Sequence, residues 1–548
     1  MSDKPAPEGA APESPGKGEL NRRDLLVKAG QVGAGAVAAG ALAGSAKAGP
    51  SRGQAPVPTG GRVTWALEQD PVHIAPFGAT LTSNHWGKAP MYESLIEWDS
   101  QLNQRPALAE SWKVVDKRTV DFTLRRGVRF HNGKELTAAD AKYSFDLMEN
   151  PPVPGSPVVK LSGYVAVEST EVRSRYVLRV KLKNSDARLF GHLAWNRYTP
   201  IVPEGMYQQV NAGRQGIGTG PFRLLEYQPN SHVEYERNQR YWKKGRPYLD
   251  ALTMKVLPDE QARIAALRSN AIDGGTFNAD SASVLGRDRN LKVLKGGTAA
   301  FRELQFTIKK GENKPWHDKR VRQAVNFAIN RQEIINKVYG GNGRYSGHVP
   351  PGYGPWPLSQ DELKSKYLKF DLPKAQALMR AAGQSRGFSV TLTTFSTPLD
   401  FAQVASVMKQ QLKRINIDVN IVAQEPGTFG SANGRGAFDW DLTARGMRGD
   451  VDGYLAEFNP SAAIFNVWYP EYRNVRVWRL VGNGKIQLDQ AKRIPMYKEA
   501  QRLLLEDLVQ VPLVAVTKFQ VVRKRVNNMY VAFSDFNTGL HTSVYVKG

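Results

Sequence analysis

Cysteine is absent from all 548 residues. No disulfide, thiolate nucleophile, iron–sulfur cluster or lipid on an N-terminal Cys is therefore open to this chain. Whatever it folds into is held by its apolar core alone. The chain is too long for one small core, so two or more lobes are expected. Apolar residues make up 41% and charged residues 23% of it, a globular balance rather than a disordered one.

The formal net charge is +24. The first 48 residues hold six Lys/Arg and five Asp/Glu, so about +23 belongs to the remainder. Such a field attracts nucleic acid, anionic membrane or anionic solutes. No dense run of five or six Lys/Arg concentrates it. A uniformly basic surface is the expectation, with a polyanion-binding face as the alternative.

Residues 1–20 are rich in Pro, Gly, Ala and Glu and read as disordered. Asn21-Arg22-Arg23-Asp24-Leu25-Leu26-Val27-Lys28 follows, then an Ala/Gly-rich apolar run from Ala29 to Ala43, then Ala46-Lys47-Ala48. Positive region, short apolar region and small-x-small site are the layout of an export signal. The run is too short and too weakly apolar to span a membrane. The paired arginines resemble a twin-arginine (Tat) signal, with Asn21 for Ser or Thr and Leu25 for Phe. An ordinary basic region before a general secretory signal is the alternative. The expected order is a signal at 1–48, cleavage after Ala48, and a short leader at 49–60.

Beyond residue 60 strand and helix patterns mix without a strict βα repeat. Val120, Phe122 and Leu124 alternate with polar residues, as do Leu178, Val180 and Leu182, and read as half-buried strands. Thr137 with Asp140 forms a capping box for a helix burying Ala141, Phe145 and Met148. Asp318 and Asn330 are N-cap candidates for two consecutive helices. Phe401, Val404, Met408, Leu412 and Ile415 make a core stripe at helical spacing.

Several chemistries find no footing. None of the eight histidines stands four residues from another with Glu between, so no metal site is expected. Gly49-Pro50-Ser51-Arg52-Gly53 has the nucleophile-elbow spacing but sits at the signal cleavage point, without the strand and helix an elbow needs. No phosphate loop of the Gly-x4-Gly-Lys-Ser/Thr type occurs, and no cofactor is expected.

Longer stretches say more. Leu108-Ala109-Glu110-Ser111-Trp112, then Phe122 to Gly133, then Leu136-Thr137-Ala138-Ala139-Asp140 come in order. Gly218-Thr219-Gly220-Pro221-Phe222 follows, then Glu236-Arg237-Asn238 with Tyr241-Trp242 and Pro247-Tyr248-Leu249-Asp250. Asp318 to Ile329 with Arg331, Tyr497 to Gln501 and Val511-Pro512-Leu513 complete the series. Together, over about residues 62–545, they resemble the family 5 extracellular solute-binding proteins, receptors of ABC importers for peptides, dipeptides or nickel. Gly127 and Gly133 suit tight turns with positive φ, and Gly218 to Pro221 suits a turn into a strand. The motifs identify a scaffold, not a cargo.

The resemblance implies an α/β fold of the type II periplasmic-binding-protein kind, with two lobes, hinge strands and an inserted third domain. Lobe 1 combines 61–90, 216–300 and 515–548. The insertion is 91–215, and lobe 2 is 301–514. Crossing strands near 300 and 515 form the hinge. The implied function is periplasmic capture of a small solute, an oligopeptide or similar, for delivery to ABC permease subunits. A monomer is expected, neither membrane-spanning nor bound to nucleic acid. In peptide-binding members an acidic residue after Gly-Trp-x-Gly grips the ligand ammonium. Here Gly446-Met447-Arg448-Gly449-Asp450 places Asp450 there, with Met447 for Trp. A buried ammonium needs such a carboxylate, although Asp450 can equally cap a turn or pair with a nearby Arg. Dipeptide receptors carry an Arg near Thr393 to Asp400, and this chain has none. Arg445 and Arg448 stand as anion contacts or as surface charges. Thr80, Leu81 and Thr82 are expected in the first-lobe wall. Trp86 and Trp440 are stacking faces or core. An exported hydrolase and a salt-sensitive polyanion binder are the rival readings.

Overall fold

The chain is described as a computed structural model, over residues 57–77, 82–100, 102–150, 165–195, 197–211, 215–531 and 541–547. All of these fall in the unit Arg52–Gly548. The export signal, most of the leader, and Thr80 and Leu81 lie outside the described residues.

Strand β1 (Arg62–Leu67) turns Val63, Trp65 and Leu67 into the core. Helix α1 (Thr82–Lys88) then lays Trp86 parallel to Trp65, with ring centres 6.0 Å apart. The chain next builds a four-stranded antiparallel sheet, ordered β2-β3-β5-β4. Its strands are β2 (Ala109–Asp116), β3 (Thr119–Leu124), β4 (Val167–Ser174) and β5 (Val177–Leu182). The alternation read from sequence is what joins them. Val120 faces Val180 and Phe122 faces Leu178 across the β3–β5 pair. Helix α2 (Ala138–Glu149) starts where Thr137 N–H donates to the Asp140 carboxylate at 2.8 Å, and it buries Ala141, Phe145 and Met148. A short helix α3 (Arg188–Leu193) follows.

One long sheet carries the rest. Its first strands after the small sheet are β6 (Phe222–Gln228), β7 (His232–Arg237), β8 (Ala251–Val256) and β9 (Gly274–Phe277). The long β10 (Leu291–Phe306) comes next, then helices α4 (Lys319–Ala328) and α5 (Arg331–Tyr339) and the short β11 (Gly343–Tyr345). After these run β12 (Phe388–Phe395), α6 (Asp400–Leu412), β13 (Ile417–Gln424) and β14 (Trp440–Arg445). Helices α7 (Val475–Ile486) and α8 (Gln490–Asp507) lead to the long β15 (Gln510–Arg523). The order is β13-β12-β14-β10-β15-β9-β1-β8-β7-β6, with β11 also on β15.

The paired strands β10 and β15 are the centre of this sheet. Their register runs from Leu291 opposite Arg523 to Gln305 opposite Gln510, broken by irregularities on both sides of Phe301. One apolar cluster runs from Val63 to Met254 and resumes at Val522. Two others draw only on residues 301–515.

The caps predicted from sequence form. Asp318 accepts from the Arg320 N–H and Asn330 from the Glu333 N–H. Phe401, Val404, Met408, Leu412 and Ile415 are all buried. The shared motifs knit the scaffold together. The His131 ring nitrogens reach the Gly216 and Gly220 carbonyls at 3.1 and 3.0 Å. A Cβ on Gly218 would lie 2.0 Å from the Met91 carbonyl oxygen, so only glycine permits that approach. Arg331 is wholly buried and donates to the Pro512 carbonyl at 2.9 Å, joining two motifs far apart in sequence.

Candidate functional site

A cavity of about 380 Å³ lies where β1, α1, β9 and β15 meet. Trp65, Ala66, Leu67, Glu68 and Gln69 line one side, and Trp86, Thr276 and Lys518 the others. Its volume is that of a small-molecule site. Of the predicted site residues that are described, only Trp86 lines this cavity. Thr82 opens helix α1. Trp65, Thr276 and Lys518 were missed by the sequence reading. Their faces depend on strand partners far along the chain, and Lys518 alternating with Gln520 on β15 was the available signal.

In the loop that carries Asp450 the structure shows the ion-pair alternative. Asp450 is buried, and Arg493 of α8 grips it with both terminal nitrogens, at 2.5 and 2.7 Å. Asp450 also accepts from the Asp452 N–H at 2.8 Å. Burial alone would raise the Asp450 pKa, and Arg493 more than reverses this, leaving it below the usual carboxylate value. The position expected for a ligand ammonium thus holds a guanidinium. Asp452 accepts from the Tyr497 hydroxyl at 2.7 Å and lies 3.7 Å from Arg188 of α3. Met447 is half-buried and packs against both the Val63–Val544 cluster and the Phe301–Ala515 cluster. Arg448 is half-buried, and its backbone carbonyl accepts from the Tyr353 hydroxyl. Against this loop lies His192, whose pKa burial lowers to about 4, so it stays neutral near pH 7.

Two predicted contacts need correction. Trp440 is fully buried, with Phe306, Trp316 and Phe388 edge-on around it. It is packed inside the apolar cluster of residues 304–514, so it has no face left for a solute. Arg445, on the same strand, is ion-paired to Glu303 at 2.5 Å and Glu457 at 2.6 Å. Its charge serves the interior rather than a bound anion.

That interior cluster carries an excess of acid. Glu303, Asp441 and Glu457 are buried around the single Arg445. Asp441 accepts from Asn433, while its other oxygen has no partner. Burial, reinforced by Glu303, pushes its pKa well above the usual value. A raised carboxylate contributes stability that is present below the unfolded pKa and lost as pH rises through the folded one. Asp441→Asn should therefore stabilise the protein by about 1–2 kcal/mol at pH 8, with the gain shrinking toward pH 4. Urea unfolding at both pH values measures this, and an equal gain at both would contradict it.

Among the described residues one group has metal-ligand proximity: Glu226, His232 and Glu234 bring ligand atoms within 4.8 Å of one another. Arg62 pairs with Glu234 at 3.2 Å and already supplies a cation there.

Comparison with known proteins follows the same direction. The family described as bacterial extracellular solute-binding proteins, family 5 middle, matches residues 103–466. The glutathione-binding protein GsiB of Salmonella choleraesuis is 26% identical over 461 residues, covering 80% of this chain and 86% of its own. The dipeptide-binding protein of Escherichia coli is 27% identical over 475 residues, covering 81% and 86%. The periplasmic binding protein DppA of Helicobacter pylori, solved with the peptide STSA, superposes with a TM-score of 0.72 at 24% identity, covering 90% of this chain and 99% of that one. HbpA2 of Haemophilus parasuis superposes at 0.78 with 21% identity, covering 89% and 100%. These structures share the mixed α/β, type II fold.

Proposed function

Since this chain belongs to family 5 of the bacterial extracellular solute-binding proteins, we propose that two lobes close on a small peptide-like or related solute and present it to the permease of an ABC importer. The observation that carries this reading is the β10–β15 pair. It is the one place where the strands built from residues 301–515 meet those built around β1. We assign lobe 1 to 61–90, 216–300 and 515–548, the insertion to 91–215 and lobe 2 to 301–514. The separate apolar clusters support the division of lobe 2 from the rest, while one cluster runs through lobe 1 and the insertion together. The break in register around Phe301 supplies a pliable point for hinge closure. A solute that touches both lobes favours the closed state by that difference in contact.

The action is capture without chemistry, in the periplasm, after export directed by residues 1–48. Asp450, Met447 and Arg448 form the second-lobe side of the cleft in this reading. Trp86 forms the first-lobe side. No described helix is long and apolar enough to cross a membrane.

Native mass spectrometry of protein purified from its host tests the reading directly. A retained solute of defined mass is expected. Returned to the emptied protein at about 100 times its Kd, it should add about 2.7 kcal/mol of stability. The solute must be recovered unaltered. Turnover of it, or affinity that collapses with salt as polyanion binding does, would sink the proposal.

A further inference from the structure

The cavity beside Trp86 is lined by a lysine that has no acidic partner among the described residues. Lys518 lines it half-buried, with Nζ 5.8 Å from the Trp86 ring centre. It forms no ion pair among the described residues, although the chain is rich in them. Gln520, two residues along β15, is wholly buried, and neither end of its amide has a hydrogen-bond partner. In the β9–β15 register Gln520 stands opposite Thr276, which lines the cavity. Residues two apart on a strand share a face. Lys518, Gln520 and Thr276 therefore share one face of the sheet, with Lys518 and Thr276 lining the cavity and Gln520 buried outside its lining. A buried amide left unpaired costs about 1–3 kcal/mol, and a native protein carries such a group for a reason.

The remaining walls limit what can pair with these groups. Trp86 and Trp65 are stacked in parallel, with an interplanar angle of 4° and ring centres 6.0 Å apart, and both line the cavity as an aromatic pair. Glu68 and Gln69 are exposed at the rim, where water screens the Glu68 charge. The half-buried Lys518 is screened less. The long-range field of a chain at +24 draws anions rather than cations. Asp450, the expected partner for a free ammonium, is already neutralised by Arg493.

Resting on the solute-capture reading, we propose that this cavity selects an anionic solute bearing a flat unsaturated ring. The anionic group faces the Lys518 ammonium, and the ring packs against Trp86. A free amino group on the solute is not required.

Phenylacetate, phenylacetamide and phenethylamine share one ring and differ in charge, so they serve as probes. Calorimetry on the full chain, emptied of any solute, should rank phenylacetate at least tenfold above phenethylamine. Lys518→Gln should erase the preference for phenylacetate over phenylacetamide, and Lys518→Arg should keep it. Trp86→Phe should weaken all the probes together, and melting temperatures report whether each variant is folded. A preference for phenylacetate that survives Lys518→Gln overturns the inference, because the anion then binds elsewhere. Tighter binding of phenethylamine, or of a dipeptide such as Ala-Phe, overturns it too but leaves solute capture standing. Binding of no probe, when host-purified protein retains a solute, has the same meaning. Binding of no probe with no retained solute removes both.

Discussion

Arg493→Met is expected to lower the unfolding free energy by about 3–5 kcal/mol, the usual cost of leaving half of a buried ion pair behind. Arg493 and Asp450 are each less than a tenth exposed. The guanidinium also donates to the Gly484 carbonyl at 2.7 Å and lies over the rings of Trp356 and Tyr497. Methionine keeps much of the volume but none of the charge. Asp450 and the neighbouring Asp452 would then share an interior with no adjacent cation but Arg188. The double variant Asp450→Asn/Arg493→Met should regain most of the loss, because both charges leave together. The pH dependence follows from the depressed Asp450 pKa. Such a group contributes stability above its unfolded value, lost as pH falls through the folded one. The gap between wild type and Arg493→Met should thus narrow below about pH 4. Urea unfolding of the three proteins at about pH 3 and pH 7 reads all of this. A single variant within 1 kcal/mol of wild type would show that the pair is not a buried one.

What could be read from the sequence was local or periodic. Asp318 and Asn330 cap helices because a short side chain reaches N–H groups two or three residues ahead. The Phe401–Ile415 stripe and the β3–β5 alternation needed only the period of a helix or strand. The site was less legible because its decisive partners are remote. Arg493 meets Asp450 from 43 residues away, so sequence alone left ligand carboxylate and ion pair equally open. Glu303 reaches Arg445 across 142 residues. Trp440 looked like a cleft aromatic because its strand resembled any other. Its burial comes from the rings of Phe306, Trp316 and Phe388, which reach it from positions remote in sequence. Lys518 and Gln520 sit on a strand whose alternation is plain, yet which face meets a cavity depends on β9 and β1.

The proposed hinge makes a demand on the opposite rim, and Gly191→Val should expose it. Gly191 lies on α3 of the insertion, and a Cβ there would sit 2.2 Å from the Gly449 carbonyl oxygen. Gly449 is held just as tightly, since a Cβ on it would meet the His192 ring at 2.7 Å. Two further bonds seal the same seam. Ser185 Oγ donates to the Ile486 carbonyl at 2.9 Å, and the Ala187 N–H donates to the Lys485 carbonyl at 2.8 Å. Residues 185–192 therefore rest directly on the loop that carries Asp450 and on the end of α7. If closure makes this seam, a valine at 191 wedges it open, because the backbone of Gly449 cannot yield as a flexible side chain would. Affinity for the native solute should fall at least about 100-fold, equivalent to about 2.7 kcal/mol. The radius of gyration with solute present should stay at its solute-free value, since the closed state is no longer reachable. The melting temperature without solute should hold, because each lobe keeps its own core. The opposite pattern, a drop of several degrees without solute and the same solute-induced fall in radius of gyration as wild type, would mean the seam is permanent packing and the hinge lies elsewhere.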